Sequence, residues 1–136
     1  MGKVERVTYF MANLDDKPGE LLKIMQELKA KNVNLSGLWG FGTEPGKAQL
    51  FVVAKNPDKL RNLWKASGLL AEEGTGFFVK GADRTGALLK TLEALAGAGV
   101  NIRAIDAIAV DGHFGSFVWV NAADVPKAAK ALSLKK

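Results

Sequence analysis

The chain has 136 residues, of which 48% are hydrophobic and 24% charged, and its formal net charge is +5. It has no cysteine and a single histidine, which excludes a disulfide framework, a thiol nucleophile and a multi-histidine metal site. No stretch is long and apolar enough to predict a membrane span, and the charged N-terminus does not resemble a signal peptide, so we expect a cytoplasmic protein. The basic residues are spread along the chain, which indicates solvated helix faces rather than a nucleic-acid-binding surface.

A loop-and-helix motif occurs twice, at an offset of 67 residues. Residues 16–23 read DKPGELLK, and residues 83–90 read DRTGALLK. The same offset also relates Leu28 to Leu95, Val33 to Val100, Asn34 to Asn101 and Leu35 to Ile102. A repeat at a fixed offset predicts that the same structural unit occurs twice in the chain. Units this small bury little surface alone, so we expect them to pack against each other or against another chain.

The motif suits the start of a helix that approaches a ligand. Pro18 fits the first helical turn, Asp16 can accept a hydrogen bond from a free amide, and Gly19 allows a tight turn and a close approach. A helix start carries partial positive charge, which suits a carboxylate. The motif alone favours a simpler interpretation, a plain helix cap with a glycine turn and no ligand.

In the first copy, the hydrophobic pattern predicts six elements in the order strand, helix, strand, strand, helix, strand. They lie at residues 7–12, 18–31, 33–41, 47–54, 57–66 and 69–73. This order is typical of the ferredoxin-like α+β arrangement, an antiparallel sheet with both helices on one face. We therefore predict a first domain at residues 1–73.

In the second copy, the same order is predicted over residues 74–136. Its elements lie at residues 77–80, 85–98, 102–110, 115–120 and 124–132, and the final strand is predicted to be short or missing. The third strand of each copy has apolar residues on both faces, such as Phe51 and Val52, or Phe117 and Val118. The face without helices should therefore also be covered, within the chain or by another chain.

The sequence resembles a stand-alone tandem pair of ACT domains, small regulatory modules of amino-acid metabolism. The resemblance is carried by residues 13–21 (NLDDKPGEL) with 33–35 (VNL), and by residues 83–88 (DRTGAL) with 98–102 (AGVNI). It implies two βαββαβ ACT-like repeats that bind a small molecule, usually an amino acid, where two ACT domains meet. The protein would then be regulatory, without catalytic residues, cofactor or metal.

The resemblance also implies which residues bind. In the family, the loop after the first strand of one domain faces the start of the second strand of its neighbour. For the first site the implied residues are those of the loop, Asn13, Leu14, Asp15, Asp16, Lys17, Pro18 and Gly19, together with Asn101 and Ile102. For the second site they are Gly81, Asp83, Arg84, Thr85 and Gly86 of the second loop, together with Asn34 and Leu35. Thr85 replaces proline and the second loop has fewer polar groups, so the two sites need not be equivalent. The implied partners are an amino acid or related metabolite, a second copy in a dimer or larger homo-oligomer, and a regulated enzyme.

Two other readings fit the element order. An RNA-recognition module would carry stacked aromatic residues on its third strand, and residues 113–119 (HFGSFVW) come close to that pattern. An oligomerisation module without any ligand is also compatible with the sequence. We do not expect an enzyme, because Asp15 and Asp16 have no nucleophile or base near them in the motif.

Overall fold

The computed structural model describes residues 3–133, which form six β-strands and four α-helices. The strands are β1 (Lys3–Asp15), β2 (Leu35–Glu44), β3 (Lys47–Ala54), β4 (Glu72–Ala82), β5 (Ile102–Val110) and β6 (His113–Val120). The helices are α1 (Glu20–Ala30), α2 (Pro57–Ser67), α3 (Leu89–Gly97) and α4 (Val125–Ala131), the last preceded by a short 3-10 turn at Ala122–Asp124. The doubled order of one strand, a helix, two strands and a helix confirms the predicted ferredoxin-like α+β class.

The contacts divide the described residues into two compact units. One consists of residues 8–74, and the other of residues 75–133 together with residues 3–7. We call them the first unit and the second unit. The division differs from the predicted boundary between residues 73 and 74, because the first five described residues group with the second unit. β1 and β4 therefore each contribute residues to both units.

In the first unit, α1 and α2 pack on one face of the antiparallel strands β2, β3 and β1. Phe10 pairs with Val52 across β1 and β3, and both side chains are fully buried. They form a core with Leu28 of α1 and Leu60 and Trp64 of α2. These helix positions recur every three or four residues, so one face of each helix is buried.

In the second unit, α3 and α4 pack on strands β4, β6 and β5 in the same manner. Its core includes Phe77, Leu95 and Val118, and Val4 packs against this core from the N-terminal segment. Because β1 lies beside β4 in the strand order, residues 3–7 occupy the fourth-strand position of this unit. The expected short final strand falls on residues 134–136, which lie outside the described residues.

The sheet face without helices is also apolar and buried. Phe51 is fully buried among Tyr9, Trp39 and Phe41, with ring centroids 5.8 to 5.9 Å away. In the second unit, Phe117 packs edge-on against Phe78 at 5.8 Å, and Arg103 lies 4.0 Å above the ring of Trp119. Phe114, Phe117 and Trp119 are all at most 9% exposed. The aromatic residues that prompted the RNA reading are thus core residues and offer no stacking platform.

An ion-pair network connects α2 to the start of β4 within the first unit. The guanidinium of Arg61 donates to both carboxylate oxygens of Glu73, at 2.8 and 2.7 Å, and to Asp58 at 2.5 Å. These contacts lower the pKa of Glu73 and raise that of Arg61, chiefly through the Arg61–Glu73 hydrogen bonds. Beside them, the hydroxyl of Tyr9 donates to Glu72 at 2.5 Å.

Between residues 3 and 133, no helix combines the length and the apolar character that crossing a membrane requires.

Candidate functional site

The loop between β1 and α1 is anchored to the hairpin turn between β2 and β3. The amide of Asp16 donates to the carbonyl of Gly46 in the hairpin turn at 3.0 Å. Gly19 precedes α1 with φ +89°, a left-handed conformation that favours glycine. The helix begins at Glu20, two residues later than predicted, and no side chain caps it. The expectation that Asp16 caps the helix is wrong, because Asp16 lies four residues before the first helical residue.

The loop of the second unit repeats this geometry. The amide of Asp83 donates to the carbonyl of Gly112 at 2.9 Å, and Gly86 has φ +75°. Residues 85–88 form turns, so α3 begins only at Leu89 and not at Thr85 as predicted. Both loops are thus anchored to their own hairpin turn by the Asp amide, and both contain one left-handed glycine.

Two cavities flank the first loop. One, of about 410 Å³, is lined on the helix side by charged residues that include Asp15, Glu20, Lys23 and Lys47. The other, of about 260 Å³, lies between the loop, the first turn of α1 and strand β2. Its lining combines polar and apolar residues: Leu14, Asp15, Asp16, Lys17, Glu20, Leu21, Leu38, Gly40, Phe41, Gly42, Ala48, Gln49 and Leu50.

The charges around the first loop are of both signs. Glu20 and Lys23 form an ion pair at 2.8 Å, and the hydrogen bond between them lowers the pKa of Glu20 and raises that of Lys23. Lys47 lies 4.0 Å from Asp15 across the neighbouring strands. Because carboxylates and ammonium groups alternate here, this surface suits a molecule that itself carries both charges.

One cavity lies beside the second loop, at the position that corresponds to the 260 Å³ cavity. It measures about 490 Å³ and lies between the loop, α3 and strand β5. Its lining is mostly apolar: Asp83, Gly86, Ala87, Leu88, Leu89, Leu92, Ala107, Ile108, Ala109 and Phe114. Leu92 of α3 faces this cavity and is 37% exposed.

The start of β2 lies apart from the first loop within the same unit. Asn34 and Leu35 line a groove of about 460 Å³ at the C-terminal end of α1, away from the helix start. Leu35 also packs partly against the core. In the second unit, Asn101 is exposed and Ile102 packs partly against the core. Neither loop is therefore joined by the start of the second strand of its own unit, although later residues of that strand line the cavity beside the loop.

Several lining residues were not predicted from the sequence. The floor of each cavity is formed by small residues of the edge strand, Gly40 and Gly42 in β2 and Ala107 and Ala109 in β5. These pairs share the 67-residue offset, so the repeat contained a signal for them. Residues 3–133 contain no group of three or more His, Asp or Glu side chains placed to hold a metal ion.

Comparisons with known proteins give a structural likeness only. No family model matches the chain, and no curated protein matches it in sequence. A crystal structure of a protein from Bacteroides thetaiotaomicron superposes with a TM-score of 0.77 at 22% identity, covering 96% of this chain and 88% of that chain. The ligand-free regulatory subunit of aspartate kinase from Thermus thermophilus gives 0.63 at 17% identity, covering 96% of this chain and 93% of that one.

A third structure agrees with the second. The regulatory subunit of aspartate kinase from Thermus flavus superposes with a TM-score of 0.61 at 18% identity, covering 98% of this chain and 95% of that chain. Both subunits are matched over nearly their whole length, so the likeness extends over both repeats. The chain therefore has an ACT-like α+β fold of the kind found in aspartate kinase regulatory subunits.

Proposed function

We propose that this protein is a regulatory sensor that binds a small molecule, an amino acid, at its β1–α1 and β4–α3 loops. The observation that carries the proposal is the repeated loop geometry, in which an anchored Asp and a left-handed Gly stand beside a cavity in each unit. The fold of aspartate kinase regulatory subunits supports a regulatory role.

The chemistry of the loops suits a zwitterion. The ammonium group would bind a carboxylate, Asp16 in the first loop and Asp83 in the second. The carboxylate would lie near Gly19, which directly precedes α1 and its partial positive charge, or near Gly86 in the turn before α3. Lys17 and Arg84 are close to these glycines in sequence. Charge-assisted hydrogen bonds of this kind are worth about 1.5–3 kcal/mol each.

The binding residues implied by the ACT resemblance remain part of the proposal. A neighbouring ACT-like domain would complete each site with the start of its second strand, Asn101 and Ile102 for the first loop and Asn34 and Leu35 for the second. A second copy of the chain is a suitable source of such a domain. The strand order ends at β2 and β5, and both edges carry exposed apolar side chains, including Phe41 at 46% and Ile108 at 70%. Exposed apolar edge strands favour pairing with another chain.

The proposed mechanism is linkage rather than catalysis. A ligand shared by two domains stabilises the arrangement that completes its site, by no more than its differential affinity for that arrangement. The regulated partner would be an enzyme of amino-acid metabolism. The alternative is an oligomerisation module without ligand, which the exposed apolar edges would equally serve.

A thermal-shift screen against the twenty amino acids tests the proposal. A ligand at about 100 times its dissociation constant adds roughly 2.7 kcal/mol of stability. We expect one or a few amino acids to raise the melting temperature by about 2–8 °C. If none of the twenty shifts the melting temperature, the ligand-free alternative replaces the sensor.

Isosteric variants locate the binding residues. Asp16→Asn and Asp83→Asn keep the shape of exposed side chains while removing the charge, so each should weaken binding at its own loop about tenfold. Glu93→Gln, an exposed charge removal on α3, is the matched control and should leave binding unchanged. Unchanged affinity in both Asp variants would place the ligand elsewhere.

A further inference from the structure

The cavity beside the second loop differs in chemistry from its counterpart in the first unit. Its walls are the side chains of Leu88, Leu89, Leu92, Ala107, Ile108 and Phe114. Two of these apolar side chains are largely in contact with solvent, Leu89 at 58% and Ile108 at 70% exposure. The counterpart cavity has Asp15, Asp16, Lys17 and Glu20 in its lining.

The difference follows from a few replacements at equivalent positions. At the 67-residue offset, Asp15 corresponds to Ala82 and Glu20 to Ala87, so two carboxylates are replaced by methyl groups. The edge strand has no charged residue at these positions in either unit: residues 40–42 are GFG and residues 107–109 are AIA. On the first-unit side the loop contributes several charged residues, whereas on the second-unit side Asp83 is the single charged lining residue. The second cavity is also larger, about 490 Å³ against about 260 Å³.

We propose that the second cavity selects amino acids with a large apolar side chain, such as leucine or phenylalanine. The ammonium group binds Asp83, and the side chain lies on the surface formed by Leu89, Leu92 and Ile108. Within residues 3–133 the carboxylate of Asp83 has no hydrogen-bond or ion-pair partner, so it is free to accept the ammonium. This inference rests on the proposed function and adds the class of ligand to it.

The expected selectivity follows from the exposed apolar surface of this cavity. Binding sites of about 300–1,000 Å³ are mostly apolar, with a few polar groups that orient the ligand, and this cavity has that composition. An apolar side chain removes the exposed leucine and isoleucine surface from water, whereas a polar side chain loses its own hydration without a hydrogen-bond partner in the walls.

A ligand series tests the selectivity by isothermal titration calorimetry on the full chain. The series is alanine, 2-aminobutyrate, norvaline and norleucine, with serine, lysine and glutamate as polar comparisons. Each added methylene should tighten binding about fourfold, and the polar amino acids should bind at least tenfold more weakly than norleucine. A flat response along the series, or tighter binding of a polar amino acid at this loop, would overturn the proposal.

A pair of equivalent substitutions assigns the effect to this cavity. Leu89→Asn places an amide in the wall and should weaken norleucine binding about tenfold and flatten the series. Leu22→Asn is the matched control, because Leu22 occupies the equivalent position in α1 with similar exposure, 60%, and lies outside the lining of the corresponding cavity. If both variants bind norleucine as the parent chain does, the apolar selectivity does not come from this cavity.

The two levels of the proposal fail differently. If a polar amino acid binds more tightly than norleucine and Asp83→Asn weakens its binding, the sensor function stands and the apolar selectivity is wrong. If no amino acid of either kind binds, both are wrong.

Discussion

Replacing Gly74 by alanine tests the packing of the sheet face without helices. Gly74 lies in β4 against the ring of Tyr9, which is 4% exposed. A methyl group on Gly74 would lie 2.6 Å from the hydroxyl oxygen of Tyr9 and 2.7 and 2.8 Å from two of its ring carbons. These distances are too short for carbon, so the ring must move and its hydrogen bond to Glu72 must lengthen.

The expected cost combines three contributions. Overpacking of this kind costs about 1–3 kcal/mol, and a weakened hydrogen bond adds about 1 kcal/mol. Alanine also restricts the unfolded chain more than glycine does, which favours the folded state by about 0.4–1 kcal/mol. We therefore expect Gly74→Ala to lower the free energy of unfolding by about 1–3 kcal/mol, which moves the urea midpoint by roughly 1 M.

Gly97→Ala is the matched control for this prediction. Gly97 is the last residue of α3, and an added methyl group there meets nothing within 4 Å. The same chemical change should stabilise the protein by up to about 1 kcal/mol. Tyr9→Leu in the Gly74→Ala background should remove most of the penalty in a double-mutant cycle. If the two glycine substitutions change the free energy of unfolding equally, the clash with Tyr9 does not set the cost.

Two further outcomes are expected. Stability should fall as the pH drops below about 4.5, because Arg61 lowers the pKa of Glu73 and Lys23 lowers the pKa of Glu20 in the folded protein. The resulting stabilisation is present above the unfolded-state pKa and is lost as the pH falls through the folded-state pKa. Acid titrations of stability should show this loss reduced in Arg61→Gln, and an unchanged acid limb would contradict the assignment. Thr91→Val should be neutral or stabilising by up to about 1 kcal/mol in urea unfolding, because the Thr91 hydroxyl is fully buried without a hydrogen-bond partner. A loss of stability above about 1 kcal/mol would contradict this and show that the hydroxyl is hydrogen-bonded.

The repeat predicted the architecture well because it is a property of the sequence itself. The bounds of β3 and β5, residues 47–54 and 102–110, agree with the prediction, since alternating or continuous apolar runs mark such strands. The helix starts were placed too early, because Pro18 and Thr85 lie in turns whose geometry resembles a first helical turn. Such boundaries depend on a few backbone angles that composition does not determine.

The grouping of residues 3–7 with the second unit could not be predicted. No local pattern states which core a strand joins, and here Val4 packs against the core that contains Phe77 and Leu95. The strand needed by the second unit lies about seventy residues earlier in the chain than its β4. Long-range pairing of this kind is decided by the whole fold rather than by the segment.

The candidate site was predicted in part. The loops around Gly19 and Gly86 were identified, because glycine and the Asp that precedes it have clear local roles. The apolar walls formed by Leu89 and Ile108 were not identified, since both residues lie outside the loop residues and strand starts that the ACT resemblance implies.

The proposal that the two loops hold an amino acid can be tested by calorimetric titration of the full chain. The ligand is the amino acid that raises the melting temperature most in the thermal screen, and the titration is repeated on Asp16→Asn and Asp83→Asn. We expect saturable binding by the parent chain and about tenfold weaker binding when the carboxylate of the occupied loop is removed. Binding that neither substitution alters would contradict the proposal that these loops hold the ligand.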